Sequence, residues 1–408
     1  MIEEIKSALQ VYMDKEEYEI SETILDLGED MCAKELDPYI LEIDEMGATL
    51  ENGKVEIHPQ TLKFVELLKK NDIMGLTIPE KYGGSGLSTT LAHCLGERFA
   101  QSELGISSYF GLQKTITDYL MTSGTEEQRE RYFPELAEGK RYGGLLLTEP
   151  QSGSDLGSVK TKAVRDGDHY LVNGQKIFIT HAHIADTFVF LASTDPSKGR
   201  KGLTAFVLDR KNKPGFRLER LEHKLGIRAQ PTGAISLENF EIPIEDRVGE
   251  EGRGFAAVLN GLSASRIGVA AGATGVAQAA YNKAITYGQE RQQFGQPILN
   301  FQANKFKIAD MAKKLFLARN AYIHAARLKD KGKDFNTAAS IAKLYASEMA
   351  QEVTYDAIQM HGGYGFIVDY LVEKYYRDVR ITTLYEGTSE VQREIISRNE
   401  ITRHPISK

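Results

Sequence analysis

The sequence predicts a mainly helical α+β protein. We expect an N-terminal helical domain over residues 1–140, a central antiparallel β-barrel or sandwich over 141–250, and a C-terminal four-helix bundle over 251–408. Apolar residues recur at helical spacing in the first and last regions. Short runs rich in β-branched and aromatic residues fill the middle region. The length of 408 residues corresponds to two or three domains.

The region 1–140 is predicted to consist of helices. Apolar side chains lie three or four positions apart, as in Ile20 and Ile24, which is the repeat of a helix with one buried face. Thr125 directly precedes two glutamates, a pattern typical of the first turn of a helix. We therefore expect Thr125 to be an N-cap.

The region 141–250 is predicted to form strands. Runs of β-branched and aromatic residues alternate there with turn signals, of which Asn173 followed by Gly174 is one. Several short strands at this spacing favour an antiparallel sandwich or barrel. The runs cover residues 170–172, 176–180, 187–191 and 203–208.

The region 251–408 is predicted to return to helix. Its long alanine-rich segments are interrupted at residues 294–297 and 361–365, which contain glycine. Long helices joined by short turns favour a bundle. The segments cover residues 254–291, 300–331 and 334–359.

The composition argues against several classes of protein. Aspartate and glutamate number 57 against 50 lysines and arginines, so the formal net charge of −7 disfavours a surface built to bind nucleic acid. Cys32 and Cys94 are too few for a disulfide scaffold and lack zinc-ligand spacing. The acidic N-terminus does not resemble a signal or transit peptide, and no uncharged stretch approaches the ~18 apolar residues of a membrane span. We expect a cytoplasmic protein with no membrane span.

Two segments have the composition of ligand-binding loops. Residues 147–157 leave a predicted strand and are rich in hydroxyls and small side chains, so their N–H and O–H groups could bind phosphate or the polar edge of a flat cofactor. An ordinary polar turn is the alternative. Residues 359–365 contain three glycines, which permit close approach of a ligand or a left-handed helix end.

A third segment carries a candidate base. Glu386 is followed by glycine and two hydroxyl residues, just before a predicted helix. A carboxylate held in such a turn could act as a general base. The same residues could equally form a helix-entry turn, with Thr388 or Ser389 as the cap.

Taken together and in this order, the three segments make the chain resemble the acyl-CoA dehydrogenases, a family of FAD flavoproteins. The resemblance runs from about residue 60 to 400. The segments 148–157 and 359–378 match the two diagnostic patterns of the family, the second with Asp369, Lys374 and Asp378 at the expected offsets.

The resemblance implies the reaction. The family removes the α-proton of an acyl-CoA thioester with a carboxylate and transfers the β-hydride to flavin N5, which gives an α,β-enoyl-CoA. By similarity the base is Glu386, with Tyr385 and Gly387 beside the substrate. Some members place their base near position 265, which is Ser265 here. Electron-transfer flavoprotein as electron acceptor and a homotetramer are also implied.

The resemblance further implies the binding residues. Arg266 matches an arginine near the CoA moiety, and Phe178 stands where many members have tryptophan, an amino acid that this chain lacks. Ser154 matches a serine near the flavin pyrophosphate and the substrate. The remaining matches to flavin contacts are Thr148, Thr180 and Thr388 near the ring, Gln359, Gly362 and Gly363 over the ADP half, and Arg291 and Phe294 toward the FAD of a neighbouring subunit.

The chain also departs from the family pattern. His181 and His183 replace a small turn; two histidines at this spacing could share a strand face and bind metal, but no cysteine or carboxylate partner is evident. We expect no metal and interpret them as shaping the acyl pocket or the subunit surface. Residues 46–53 are an apparent insertion, interpreted as a surface hairpin or loop.

The helix over residues 106–114 is expected to line the acyl cavity by similarity. Ile106 stands about where glutaryl-type members bind a carboxylate with arginine, which disfavours a short dicarboxylate bound in that way. Ser107 and Gly111 leave room for a bulky acyl group, and Lys114 is the nearby cation.

Two alternatives keep the fold and change the activity. A flavin oxidase or monooxygenase is one, although such monooxygenases generally lack the glutamate that Glu386 matches. A branch that binds DNA through a basic C-terminal extension is the other. The acidic balance and the absence of such an extension after His404 disfavour it, and no nucleic acid partner is expected.

Overall fold

A computed structural model describes residues 2–211 and 213–404. The N-terminal part is helical, as predicted, and Thr125 is confirmed as an N-cap: its Oγ1 accepts from the Gln128 N–H at 3.2 Å, and the Gln128 side chain accepts from the Thr125 N–H at 3.1 Å. The elements are α1 (Glu3–Tyr12), α2 (Lys15–Glu35), α3 (Ile40–Met46), β1 (Ala48–Glu51), β2 (Lys54–Ile57), α4 (Pro59–Lys70), α5 (Thr89–Ser102), α6 (Leu104–Ser123) and α7 (Glu126–Ala137).

The insertion at residues 46–53 is a hairpin. Its strands β1 and β2 pair antiparallel, with Leu50 opposite Val55. The turn between them contains Asn52 and Gly53, both with positive φ, the conformation that tight two-residue hairpin turns require. The sequence predicted a hairpin or a loop here, and the hairpin is confirmed.

The central part is a sheet in the order β10-β7-β6-β4-β5-β9-β8, with β3 beside β6. Most neighbours are antiparallel, as predicted, but β3 and β4 each pair parallel with β6. The parallel pairing of β3 arises because the chain makes a long crossover through β4 and β5 before β6. The strands are β3 (Gly143–Leu146), β4 (Lys162–Asp166), β5 (His169–Thr180), β6 (Thr187–Ser193), β7 (Leu203–Asp209), β8 (Phe216–Leu221), β9 (Thr232–Pro243) and β10 (Arg247–Val248).

The C-terminal part is helical. Its elements are α8 (Gly254–Gly261), α9 (Ser265–Glu290), β11 (Gln292–Gln293), β12 (Gln296–Pro297), α10 (Gln302–Asp330), α11 (Asn336–His361), α12 (Val372–Val379) and α13 (Ser389–Arg403). The predicted continuous segment 254–291 is wrong, because it breaks at 262–264. There the hydroxyl of Ser263 donates to the Leu259 carbonyl and competes with the helical hydrogen-bond pattern.

The helical regions share one apolar core. Helices α9, α10 and α11 pack on one another, and α5 packs against α9 and α10. The buried cluster therefore joins residues from both ends of the chain, such as Phe99 and Ile267. Within residues 2–211 and 213–404, no helix combines the length and apolar character needed to cross a membrane. We retain 1–140, 141–250 and 251–408 as the proposed domain division; residues 1, 212 and 405–408 lie outside the described residues.

Candidate active site

A cavity of about 120 Å³ lies between α5, α6 and α9, and Glu386 forms part of its wall. Helix α6 contributes side chains that recur at helical spacing and so lie on one face. Tyr385 and Ser265 also line this cavity. The residues contributed by α6 are Leu104, Ser107, Ser108, Phe110, Gly111, Leu112, Lys114, Thr115 and Asp118.

Glu386 is held in a left-handed turn. Its φ is 53° and that of Gly387 is 89°, a conformation that is costly for a residue with a side chain and is kept only where the surroundings enforce it. Lys343 on α11 donates to the Gly387 carbonyl at 2.7 Å, and Gln392 donates to the carbonyl of Glu386 at 3.1 Å. Thr388 caps α13, so the helix-entry interpretation is also correct. The turn therefore has a structural role and still presents a carboxylate to the cavity.

The carboxylate of Glu386 is half-buried in the cavity wall. Oε2 accepts a 2.6 Å hydrogen bond from Ser265 Oγ. Burial raises the pKa of Glu386, and this effect exceeds the opposing influence of Ser265, Arg266 and Lys343. Burial likewise lowers the pKa of Lys343 to about 8. A carboxylate with a raised pKa is suited to proton abstraction near neutral pH.

The loop after β3 is anchored by a buried ion pair. The ammonium of Lys176 donates to Glu149 Oε1 at 2.9 Å and to the carbonyls of Leu147 and Leu191. Glu149 accepts in turn from two backbone N–H groups at the end of the loop. The Thr148 carbonyl accepts from the Ile177 N–H at 2.9 Å. The segment 147–161 is thus fixed to β5 with Thr148 half-buried and Ser154 exposed.

Phe178 projects from a bulge in β5. The pairing of β5 with β9 shifts register between Lys176 and Ile179, and Phe178 has a φ of 58°. As a result its ring is 60% exposed although Ile179 is buried. Thr180 is half-buried two positions further on. An exposed aromatic ring is a surface that a flat cofactor could cover.

His181 and His183, the two histidines that depart from the family pattern, lie at the end of β5, with His181 buried and His183 half-buried. His181 Nε2 lies 2.8 Å from the hydroxyl of Ser108, which lines the cavity, and the His181 ring lies 3.8 Å from that of Tyr109. Burial lowers the pKa of His183 to about 4 and that of His181 well below its usual range. Within the described residues, no set of three metal-ligating side chains includes them. His181 thus shapes the cavity wall through Ser108.

The other predicted flavin residues lie at the opposite end of α9. Arg291 stacks over Tyr364 at 5.6 Å, which brings it next to the exposed Gly362 and Gly363. Phe294 is 93% exposed with a φ of 51°. Gln359 is exposed on the last turn of α11, in the same part of the molecule.

The predicted site residues therefore form two groups. Arg266 and the contact of Ser265 with Glu386 mark the first turn of α9, and Arg291 follows its last residue. Helix α9 has 26 residues, so the groups are separated by about 38 Å within one chain. Arg291, Phe294, Gln359, Gly362 and Gly363 cannot meet the same end of the cavity as Glu386 within one copy.

Three expectations need correction or refinement. The side chain of Ile106 is fully buried, on the face of α6 turned away from the cavity, so it gives no argument about dicarboxylates. Lys114 is accompanied by a second cation, Lys329, which shares its carboxylate partner Asp118. Arg266 is 9% exposed and therefore is not a solvated surface charge; its contact with CoA stays a prediction.

A buried charge network holds the cavity wall together. Lys374 pairs with Asp378 on α12 and with Glu103 at 3.2 Å. Glu103 caps α6, and Asp378 accepts from the backbone N–H of Ile227, which lines the cavity. The network thus joins all three parts of the chain beside the site.

Sequence reasoning missed Ser265 as a partner of Glu386, Lys343 as a support of the turn, and the pair of Lys176 with Glu149. Lys176 carried one usable signal, since a lysine at an inward-facing position of an apolar strand demands a buried carboxylate. The contacts of Ser265 and Lys343 carried none, because each joins positions distant in sequence.

Comparison with known proteins places these features in a family. The chain matches the family descriptions "Acyl-CoA dehydrogenase, N-terminal domain" over residues 19–140, "middle domain" over 144–240 and "C-terminal domain" over 252–401. It is 42% identical to the caffeyl-CoA reductase–Etf complex subunit CarC of Acetobacterium woodii and 39% identical to the 3-(aryl)acrylate reductase of Clostridium sporogenes. Each alignment covers 93% of this chain and 97% of the relative.

A solved structure of a related enzyme has the same fold. Butyryl-CoA dehydrogenase from Megasphaera elsdenii superposes with a TM-score of 0.87 at 37% identity, over 94% of this chain and 98% of that one. The fold and the site thus define an oxidoreductase acting on the CH–CH bond of acyl-CoA thioesters. The chain belongs to the acyl-CoA dehydrogenase family, whose members bind FAD.

Proposed function

We propose that this protein is an FAD-dependent acyl-CoA dehydrogenase in which Glu386 removes the α-proton of the thioester and the product is the α,β-enoyl-CoA. The observation that carries the proposal is the placement of Glu386: it lies in the wall of a cavity, fixed by Ser265, with a pKa raised by burial. Bound FAD supplies the acceptor for the β-hydride at flavin N5.

The residues present fit that cofactor. The ring of Phe178 is exposed on a bulge; the Ile177 N–H before it bonds to the Thr148 carbonyl, and Thr180 lies two positions after it. An exposed ring with two threonines close along the backbone suits the face and polar edge of an isoalloxazine. A side chain added at Gly153 or Gly363 would meet nothing within 4 Å, so both backbones can be approached closely. We assign Thr148, Ser154, Phe178, Thr180 and Thr388 to the flavin on these grounds.

The α-proton of a thioester is weakly acidic, so the carbonyl must be polarised as the proton leaves. We propose that the backbone N–H of Glu386 donates to the thioester oxygen, with Tyr385 and Gly387 alongside. Among the described residues no acceptor is bonded to this N–H, which leaves it available. The turn is rigid because Lys343 and Gln392 hold its carbonyls, so the donor keeps its direction.

The same geometry serves both directions of the reaction. Protonated Glu386 can return a proton to the α-carbon of an enoyl-CoA, since proton transfer to and from the same carboxyl group is reversible. Two of the relatives are named as reductases, and one as a subunit of an Etf complex. These names support electron-transfer flavoprotein as the redox partner in either direction.

We further propose a homotetramer. Arg291 and Phe294, with Gln359, Gly362 and Gly363, lie about 38 Å along α9 from the Glu386 end, so they would reach a flavin only in a neighbouring copy. Light scattering of the holoenzyme tests this. A tetramer is expected, and a monomer that retains FAD and activity would contradict the assignment of these residues.

Replacement of Glu386 tests the function. Purified Glu386→Gln holoenzyme is mixed anaerobically with straight, branched, aryl and dicarboxylic acyl-CoAs while flavin absorbance is followed. FAD should stay bound, and the rate of bleaching should fall at least ~10³-fold, a loss within the range of a missing general base. Glu390→Gln, an exposed glutamate four residues on, is the matched control and should bleach at the wild-type rate.

Two results would overturn the proposal. Normal bleaching by Glu386→Gln would remove this residue as the base. Stoichiometric hydrogen peroxide under air, with no need for another acceptor, would instead identify a flavin oxidase of the same fold.

A further inference from the structure

The cavity beside Glu386 is polar at a second place. Helix α6 presents Ser107 near its start and Lys114 and Asp118 further along, so this polar face extends about 16 Å down the cavity wall. His93 on α5 faces the same cavity. Because an alkyl chain gains nothing from such groups, their presence calls for an explanation.

Lys114 and Asp118 belong to a balanced set of charges. Asp118 accepts from Lys114 at 2.6 Å and from Lys329 at 2.8 Å. Asp330, next to Lys329, accepts from the backbone N–H groups that begin α5. Two cations and two carboxylates therefore cancel, and any full charge brought into the cavity would lack a counter-charge.

The set still has unused hydrogen-bonding capacity in residues that line the cavity. Lys114 is 5% exposed, and among the described residues its ammonium donates only to Asp118, which leaves two of its three N–H donors. His93 is 6% exposed, and its Nε2 has no partner there. Burial and the nearby Lys114 keep the pKa of His93 well below its usual range, so its ring is neutral. Each such unsatisfied group costs about 1–3 kcal/mol unless a ligand pairs with it.

We propose that Lys114 and His93 form a subsite for an uncharged hydroxyl group at the far end of the acyl chain, so that the substrate is an ω-hydroxy or phenolic acyl-CoA. This inference rests on the proposed function, which places the α-carbon of the substrate at Glu386. A hydroxyl oxygen accepts from Lys114, and its proton is donated to the unprotonated nitrogen of His93. One hydroxyl group therefore provides a hydrogen-bond partner for both Lys114 and His93 and leaves the charge balance unchanged.

Other terminal groups fit less well. A methyl group would leave both polar groups unpaired. A carboxylate would compete with Asp118 for Lys114 and add a negative charge to a set that is already neutral. An ammonium group would meet Lys114 as a like charge. We therefore expect kcat/KM to be higher for an acyl chain that ends in a hydroxyl group than for one that ends in a methyl, carboxylate or amine group.

Isosteric pairs of substrates test the proposal on the wild-type holoenzyme. We compare kcat/KM for 4-hydroxybutyryl-CoA against pentanoyl-CoA and for 5-hydroxypentanoyl-CoA against hexanoyl-CoA, with glutaryl-CoA as the charged member. In at least one pair the hydroxyl substrate should be preferred about tenfold. Lys114→Met and His93→Leu should each bring that ratio to one or below, whereas Met121→Ala, on the exposed side of α6, should leave it unchanged.

The outcomes separate the two proposals. A wild-type preference for the methyl member of both pairs, or for glutaryl-CoA, overturns the subsite and leaves the proposed function intact. A hydroxyl preference that survives both substitutions overturns the assignment to Lys114 and His93. Failure of every acyl-CoA to bleach the flavin overturns the proposed function itself. The ratios of kcat/KM for the wild-type enzyme test the subsite even if a variant does not fold.

Discussion

The hydroxyl of Ser265 donates a 2.6 Å hydrogen bond to Oε2 of Glu386, across 121 positions of the sequence. Ser265 begins α9, and Glu386 precedes α13. Position 265 is where some members of the family carry their base, as the resemblance indicated. In this chain that position instead holds the carboxylate supplied from the other end of the bundle.

The first prediction concerns Ser265→Ala. The hydrogen bond favours the ionised form of Glu386, so its loss should raise the pKa of Glu386 further. Because the base must be deprotonated, the acid limb of the kcat/KM profile should move to higher pH. At a pH on that limb, activity should fall about fivefold, the equivalent of one hydrogen bond of ~1 kcal/mol.

Ser263→Ala is the matched control. Ser263 lies two residues before Ser265 and is buried, and its hydroxyl donates to the backbone carbonyl of Leu259 instead of to Glu386. Its pH profile should superimpose on that of the wild type. An unchanged profile for Ser265→Ala would show that this contact does not tune the base.

The second prediction concerns Phe178→Ala. If the exposed ring of Phe178 covers one face of the flavin, its removal should weaken FAD binding about tenfold, in line with the ~1–1.5 kcal/mol of an aromatic contact. The apoprotein should keep its stability, because the ring is 60% exposed and contributes little to the core. Titration of apoprotein with FAD measures the change. Val164→Ala, 61% exposed in the same sheet, should retain wild-type affinity, and equal affinities for both variants would contradict the role of Phe178.

The third prediction compares two lysine–aspartate pairs with the same helical spacing. Lys374→Met leaves Asp378 and Glu103 as buried carboxylates without their cation, which should cost about 3–5 kcal/mol of stability. Lys34→Met breaks an exposed pair with Asp30 and should cost less than about 0.5 kcal/mol. Denaturation midpoints of the two holoenzyme variants check the difference. Similar midpoints would mean that water reaches the Lys374 network.

Local signals explain what the sequence could predict of the fold and the site. The cap at Thr125 and the hairpin turn at Asn52 depend on neighbouring residues, so both could be expected before the structure. The break at 262–264 could not, since a serine in an alanine-rich segment is compatible with helix until its hydroxyl bonds to the backbone, as that of Ser263 does.

Contacts distant in sequence explain what remained hidden. Asp118 and Lys329 meet across 211 positions, and nothing local marks either as the partner of the other. Lys114 was visible as a cation on the cavity helix, but its charge balance and its spare donors depend on that distant pairing. The resemblance to a family located Glu386, and only packing showed how Ser265 and Lys343 hold it.

The last prediction concerns the stability cost of the base. The pKa of Glu386 is raised in the folded state. Its favourable contribution to the free energy of unfolding is therefore complete when the pH is below the ordinary pKa of a glutamate, and is lost as the pH rises through the pKa of the folded state. Above its folded pKa, the ionised carboxylate of Glu386 in the cavity wall therefore destabilises the fold.

Glu386→Gln removes that charge and should be more stable than the wild type at pH 8, by about 0.5–2 kcal/mol, a size common when a residue constrained by function is relaxed. The gain should shrink as the pH is lowered toward the ordinary range of glutamate, where the wild-type side chain is itself neutral. Unfolding midpoints at saturating FAD across this pH range provide the measurement. Glu390→Gln should show no gain, because Glu390 is exposed and its pKa is lowered by hydrogen bonds at the start of α13. A Glu386→Gln variant less stable than the wild type at pH 8 would mean that the carboxylate is well compensated where it lies.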